Sequence, residues 1–365
     1  MPTPRDNIQQ LSAYTPGEQL DTAVVTKLNT NENPYPPSPR VMAAIRDIAG
    51  EKLRVYPPPL AQPFREAAAD LHRLTPDHII ATNGGDELLR LLITCYCQPA
   101  NATPSTRAGG IGVTDPTYSL YPVLAAIQDT PVTVVPRGEA FELAQTTVER
   151  WNDAGCAVGM IVNPHAPTGR FESLDTLRDL AERFDGLLLI DEAYVDFAPA
   201  DAVPLIRDGL DNVVLLRSLS KGYSLAGLRF GYGIAHPPVI ATLDKARDSY
   251  NTDAISQAAA VAALTDQLYA KDTWQSVIEQ RGRLASELKQ RGFEVLDSRS
   301  NFVLATVPSA ANAKRLYTAL KARQILVRYF DAHRLDDKLR ITVGTEAQVT
   351  RLLQHLDECL VSTDT

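Results

Sequence analysis

The chain has 365 residues, 44% of them hydrophobic and 22% charged, and carries a formal net charge of −8. One hydrophobic core seldom serves so long a chain, so a large domain and a second, smaller one are expected, and the composition excludes a disordered or fibrous protein. The acidic balance argues against non-specific nucleic-acid binding, which needs a broad basic surface to displace counterions. The longest apolar runs are strand-sized, too short to cross a membrane. The start, Met1-Pro2-Thr3-Pro4-Arg5-Asp6, is followed by no apolar stretch of the secretory kind, so a cytoplasmic location is expected.

Residues 1–28 are polar and proline-dotted and read as an arm lying on the second domain or on a partner subunit. A turn-rich lead-in follows, Asn29-Thr30-Asn31-Glu32-Asn33-Pro34-Tyr35-Pro36-Pro37. Short β-like runs then alternate with amphipathic helical stretches: Ile79–Ala81, Ile111–Val113, Val132–Val135, Val158–Val162, Leu187–Ile190 and Val213–Leu216. That rhythm predicts a mostly parallel sheet covered on both faces, with ligands at the carboxyl ends of its strands. Pro99–Gly110 reads as an exposed loop. From about Asn251 the pattern changes to long helical segments such as Asp272–Arg291, with short strands at Phe302–Thr306, Ile325–Tyr329 and Leu339–Val343. The expected division is therefore an arm (1–28), a large domain (29–250) and a small α+β domain (251–365).

The 4 cysteines and 6 histidines lack metal-ligand spacing. Cys95 and Cys97 fall in an apolar helical run while Cys156 and Cys359 stand alone, so buried reduced thiols are expected, with no metal site.

Three segments carry chemistry. After the apolar run Val213–Leu216 comes Ser218-Leu219-Ser220-Lys221, continuing through Gly227-Leu228-Arg229 to Gly231. Hydroxyls and a guanidinium where a chain leaves a sheet suit a phosphate dianion, and the amine can bond an aldehyde; the same residues would also make an ordinary Ser/Gly loop. The run Leu187–Ile190 delivers Asp191 at its carboxyl end, with Tyr194 just beyond. Such a carboxylate serves either as a helix cap or as the partner of a pyridinium nitrogen. Asn163-Pro164-His165-Ala166-Pro167-Thr168-Gly169 follows Val158–Val162 and, taken alone, is a Pro/Gly turn.

In this order on successive strand ends, the segments resemble the fold-type-I aminotransferases that depend on pyridoxal 5'-phosphate (PLP), and within them the class containing the histidinol-phosphate aminotransferases. The likeness runs from Asn29 to Arg340-Ile341-Thr342-Val343-Gly344-Thr345. It implies an α/β fold with a large, mostly parallel-sheet α/β/α domain beside a smaller α+β domain, and a homodimer with shared active sites. It also implies that Lys221 bonds the PLP aldehyde and shuttles the substrate α-proton, and that Asp191 pairs with the ring nitrogen. Asn163 and Tyr194 would bond the ring's phenolic oxygen and Tyr118 would stack on the ring face. The phosphate would rest on Ser218, Ser220, Arg229 and the backbone at Gly85 and Asp86, where Asn83-Gly84-Gly85-Asp86-Glu87 opens a helix.

Substrate anions fall to Arg340 and Arg328, the latter equally readable as a surface ion pair. Tyr14, Asn33 and Tyr56 match substrate-side positions, Tyr56 from across a dimer interface; either tyrosine could equally be a packing residue. The chain departs from the family at His165-Ala166 (usually Asn-Asn), at Ser218 (usually Thr) and at Pro58-Pro59. The implied reaction is amino transfer from histidinol phosphate to 2-oxoglutarate. An aromatic amino-acid aminotransferase or an L-threonine-phosphate decarboxylase could share all of these residues, and a PLP-binding regulator or a catalytically silent relative is the non-enzyme alternative. A dinucleotide-binding oxidoreductase does not fit, because Asn83–Asp86 lacks the required glycine spacing.

Overall fold

The computed structural model describes residues 2–12, 18, 25–100, 109–309 and 311–361. A two-residue strand, β1 (Thr26–Lys27), precedes the strands of the large sheet: β2 (Ile79–Thr82), β3 (Ile111–Asp115), β4 (Val132–Pro136), β5 (Val158–Val162), β6 (Leu187–Asp191), β7 (Val213–Ser218) and β8 (Gly231–Ala235). The C-terminal part adds β9 (Glu294–Val295), β10 (Phe302–Thr306), β11 (Ile325–Leu326), β12 (Arg328–Tyr329) and β13 (Lys338–Thr342).

The large sheet is seven-stranded in the order β2-β8-β7-β6-β5-β3-β4. All its pairings are parallel except the two made by β8. Because β8 is antiparallel to both neighbours, the reversal cancels, and the carboxyl ends of β2, β3, β5, β6 and β7 share one edge of the sheet.

Apart from the edge strand β4, where Val134 is exposed, both faces are buried, which is why these strands read as unbroken apolar runs rather than alternating ones. Alternate residues nonetheless go to different cores. Leu188, Ile190, Val213 and Leu215 join Phe64, Trp151 and Tyr232 on one face. Leu189, Val214 and Leu216 join Leu88, Leu92 and Tyr121 on the other. Each such side chain contributes about 1.5–3 kcal/mol through burial.

Strand β8, Gly231-Tyr232-Gly233-Ile234-Ala235, was not expected, since glycine is depleted in strands. A Cβ on Gly231 would lie 2.8 Å from Gly84 C and 2.9 Å from Gly85 N. The glycine thus lets the start of the helix Gly84–Tyr96 approach the sheet backbone.

The second unit is an antiparallel sheet in the order β12-β13-β10-β9, with β1 and β11 paired in parallel beside it. Leu28, Leu284, Leu288, Val303, Leu339 and Ile341 contribute to its separate core. The run expected as one strand, Ile325–Tyr329, is two: β11 pairs with β1 and β12 with β13, so the chain changes sheets at buried Val327.

The boundary expected at 250/251 falls just ahead of the helix Ala254–Thr265. Ala259, Ala260, Ala263 and Leu264 of that helix pack into the large unit's core. The transition runs along the helix Gln267–Gln290, which places Ala270 in that core and Leu284 and Leu288 in the small one. The start of the arm lies on the large unit, where Arg5 and Asn7 donate to the carbonyls of Ile127 and Ala126, and its end joins the small unit through β1. Most of the loop expected at Pro99–Gly110 lies outside the described residues. Cys156 and Cys359 are buried free thiols, whereas Cys95 and Cys97 are only half-buried. Among the described residues no helix is long and apolar enough to cross a membrane.

Candidate active site

The two-residue period of the strands decides what faces the shared carboxyl edge. Asp191 follows Leu189, and Ser218 follows Leu216, toward the face covered by the helices Gly84–Tyr96 and Leu120–Ile127. Glu192 and Arg217, one residue out of step, go to the opposite face. There they form a buried ion pair at 2.8 Å, and Arg217 also meets Asp201 at 3.1 Å.

Asp191 is buried; its Oδ2 accepts from Tyr121 Oη at 2.8 Å and its Oδ1 from the Ala193 N–H at 3.0 Å. Burial pushes its carboxyl up to about 6, against the pull of these two donors. A phenol and one backbone N–H are modest compensation for a buried carboxylate, and a protonated heterocycle would suit it far better.

Lys221 lies beyond the end of β7, its Nζ 2.8 Å from the Thr30 carbonyl and 6.0 Å from the Tyr194 ring centroid. Desolvation, with the positive charge of Arg340 next, lowers its pKa to about 8. The neutral, nucleophilic amine is thereby reached closer to neutral pH than in an ordinary lysine.

The phosphate-type donors also converge. Ser218 is the register partner of Gly231, and Gly231 lies against the Gly84–Gly85 peptide that begins a 13-residue helix. Gly84 takes φ +72°, and a Cβ there would lie 2.6 Å from Arg229 Nη2. Arg229 also meets Asp86 Oδ2 at 3.5 Å, an exposed contact that carries little energy. The Ser220 N–H donates to Ser218 Oγ at 3.1 Å, closing the turn before the lysine. A helix amino terminus, two hydroxyls and a guanidinium are a fitting set for a phosphate dianion.

Tyr118 packs edge-on against Tyr121 at 5.6 Å, which puts it beside Asp191. Tyr194 accepts from Asn31 Nδ2 at 3.0 Å. Asn163 is engaged differently from expectation: its carbonyl accepts from Glu172 N and its amide donates to Glu172 O, at 2.8 and 3.2 Å. Only one amide proton remains for a ligand. His165 is buried, its Nδ1 2.7 Å from Thr168 Oγ1 and its Nε2 2.9 Å from the Pro116 carbonyl. Burial, with Arg137 nearby, holds its pKa well below the usual value, so this neutral imidazole ties the Asn163–Gly169 turn to the segment leading to Tyr118.

On the substrate side, Arg328 and Arg340 are register partners on β12 and β13, both over the Phe330 ring at 5.3 and 5.4 Å. Arg340 Nη2 also donates to the Asn29 carbonyl at 3.0 Å. Asn33 donates to the Gly222 carbonyl at 3.2 Å, next to Lys221. Tyr56 is not brought into this constellation. It is 79% exposed and stacks on Tyr250 at 4.5 Å. Tyr14 lies outside the described residues. Pro58 and Pro59 are pinned by Gln257 and Arg247, which donate to their carbonyls. Sequence reasoning missed Tyr121, although its three-residue spacing from Tyr118 was a usable signal, and it missed Asn31, Thr30 and the Glu192–Arg217 pair, for which spacing gives none.

Residues 23–356 match the profile of the family aminotransferase class I and II. The chain belongs to that family. Its architecture is fold type I, that of the PLP-dependent transaminases. It is 45% identical over 361 residues to histidinol-phosphate aminotransferase 1 of Nostoc sp., covering 99% of each chain. It is 41% identical to histidinol-phosphate aminotransferase of Citrifermentans bemidjiense, covering 97% of each. Among solved structures, histidinol-phosphate aminotransferase of Sinorhizobium meliloti in complex with pyridoxal-5'-phosphate superposes with a TM-score of 0.84 at 27% identity, over 92% of this chain and 91% of that one.

Proposed function

We propose that this family member transfers the amino group of histidinol phosphate to 2-oxoglutarate, with PLP held on Lys221. The observation that carries the substrate reading is the pair Arg328 and Arg340, register partners of which Arg340 is close enough to Lys221 to lower its basicity, in a chain whose full-length relatives bear that name. Like charges opposite each other on neighbouring strands repel, and an anion between them relieves the repulsion. Guanidinium forks fit phosphate and carboxylate alike. Histidinol phosphate has no α-carboxylate, so its phosphate takes the anion site that 2-oxoglutarate fills with a carboxylate.

When bound, PLP supplies an aldehyde for the amine and a protonated ring that accepts electrons from the substrate α-carbon. Lys221 is the residue that would hold the aldehyde and move the substrate α-proton, and its depressed basicity suits both tasks. Asp191 would keep the proton on the ring nitrogen, its carboxylate steered by Tyr121. The backbone N–H groups of Gly85 and Asp86, with Ser218, Ser220 and Arg229, would hold the phosphate. Tyr194 and the remaining amide proton of Asn163 would bond the ring oxygen, and Tyr118 would cover the ring face. Asn33 and, from a second copy of the chain, Tyr56 would border the donor.

The same reading includes a homodimer and a division into arm, large and small domains. A cytoplasmic location is supported by the free thiols. For the dimer, support comes from exposed Leu53, Val55, Tyr56 and Tyr250, an apolar surface of the kind that marks an interface. Steady-state comparison of amino donors tests the substrate: kcat/KM for histidinol phosphate is expected to exceed that for phenylalanine and tyrosine. The reverse order overturns the choice, and carbon dioxide release from threonine phosphate moves the protein to the decarboxylase branch.

A further inference from the structure

Asn31 is buried and adopts left-handed backbone geometry, φ 56°, which asparagine accepts more readily than most residues. It lies in the segment linking the small unit to the site. Its backbone N–H donates to Thr342 Oγ1 at 3.0 Å, and the Thr342 hydroxyl donates to Asn31 Oδ1 at 3.0 Å. An N–H can only donate, so Oγ1 accepts it and keeps its own proton for Oδ1, the acceptor that the amide offers. That orients the amide, with Oδ1 on Thr342 and Nδ2 on Tyr194, where it donates to the phenol oxygen at 3.0 Å. Flipping the amide would make Oγ1 accept twice and take away the acceptor of the threonine proton.

A phenol oxygen that accepts from Asn31 must direct its own proton away from Asn31. The Tyr194 ring stands edge-on to Phe302, with Lys221 Nζ 6.0 Å from its centroid, so the phenol borders the lysine. The far end of the chain of bonds is equally fixed. The Thr342 N–H donates to the Leu28 carbonyl, and Asn301 Nδ2 donates to the Asn31 carbonyl at 2.9 Å. Thr342 belongs to β13, the strand that carries Arg340 two residues earlier.

We propose that Thr342 and Asn31 form a polarity relay that sets Tyr194 as a hydrogen-bond donor toward the cofactor's ring oxygen and ties that setting to the anion-binding strand. Asn31 and Thr342 are positioning residues, since both act through Tyr194. The inference rests on the reading that Lys221 carries PLP beside Tyr194. Asparagine suits the relay because it presents an acceptor on one side and a donor on the other; aspartate would accept on both and draw the phenol proton to itself.

The test is a pH titration of the visible absorption of the purified holoenzyme's lysine-bound PLP. A hydrogen bond to the charged ring oxygen favours that charged form, so losing the bond raises the titration midpoint. Tyr194→Phe gives the reference shift. Thr342→Val is expected to move the midpoint the same way by about half to one unit, a roughly three- to tenfold change in the protonation equilibrium. Thr342→Ser, which keeps the hydroxyl, is expected to titrate as wild type, and in the Tyr194→Phe background Thr342→Val is expected to add no shift. Asn31→Asp provides an independent variant with a shift in the same direction. A wild-type midpoint in folded Thr342→Val or Asn31→Asp, or an undiminished shift in the Tyr194→Phe background, overturns the relay and leaves a structural strap. If wild type with added PLP shows no visible absorption that depends on Lys221, the underlying reading falls as well.

Discussion

At the scale of single residues, the site is organised around two groups whose pKa values are drawn toward neutrality. Asp191 is pushed up to about 6 by burial and Lys221 lowered to about 8 by burial and then Arg340. The signs give opposite limbs. As pH falls through about 6, Asp191 gains a proton and loses the charge that would meet a pyridinium, so PLP affinity is expected to fall there. As pH rises toward about 8, Lys221 becomes neutral, so the rate of PLP capture is expected to rise and then level off. Absorbance-monitored binding across pH checks both limbs. Asp191→Asn should remove the acid limb and reduce turnover on the order of a hundred- to a thousandfold; unchanged turnover would make Asp191 only a cap. Tyr121→Phe deletes a hydrogen bond to a charged group, and a loss in PLP affinity of about ten- to a hundredfold is expected from equilibrium titration. Asp191 and Lys221 were legible because they follow apolar runs at fixed offsets. Tyr121 had only its spacing from Tyr118 as a signal, because its bond to Asp191 joins residues 70 positions apart.

At the scale of elements, the alternation of strands β6 and β7 separates chemistry from support. Asp191 and Ser218 face the site, while Glu192 and Arg217 bridge the same two strand ends from behind. Burial opposes the charge on Arg217, but Glu192, with Asp201 and Asp196, outweighs it and holds the guanidinium above its usual range. Removing Glu192 leaves the buried Arg217 to the more exposed Asp201 as its remaining ion-pair partner. Glu192→Ala is accordingly expected to cost about 3–5 kcal/mol, measured by chemical denaturation. A loss below about 1 kcal/mol, the worth of a surface pair, would show that Arg217 is satisfied without Glu192. The apolar runs made the strands legible, but β8 was not, because its glycines answer to the helix Gly84–Tyr96 rather than to strand propensity.

At the scale of the whole molecule, the exposure of Tyr56 is the telling feature. A tyrosine 79% exposed, stacked on Tyr250 and flanked by exposed Leu53 and Val55, has no role within its own chain's site. In the proposed dimer it completes the neighbour's site. Mixing inactive Lys221→Ala with a Tyr56→Ala variant should then restore about a quarter of wild-type activity if subunits exchange at random, as one site in four combines both intact residues. No gain over the unmixed variants, or sedimentation showing an active monomer, would refute shared sites.

By itself the sequence determined the parallel core of the large sheet, the lysine, aspartate and asparagine strand ends, and the family, because those signals are local: an apolar run specifies a buried strand, and the residues just past it stand at the sheet's edge. Only the tertiary structure decided the reversal at β8, the passage from one core to the other along the helix Gln267–Gln290, the facing of Arg328 and Arg340, and the link from Thr342 through Asn31 to Tyr194. These are contacts between residues far apart in the chain, 311 positions for Asn31 and Thr342, and no spacing rule records which distant side chains a fold brings to hydrogen-bond distance.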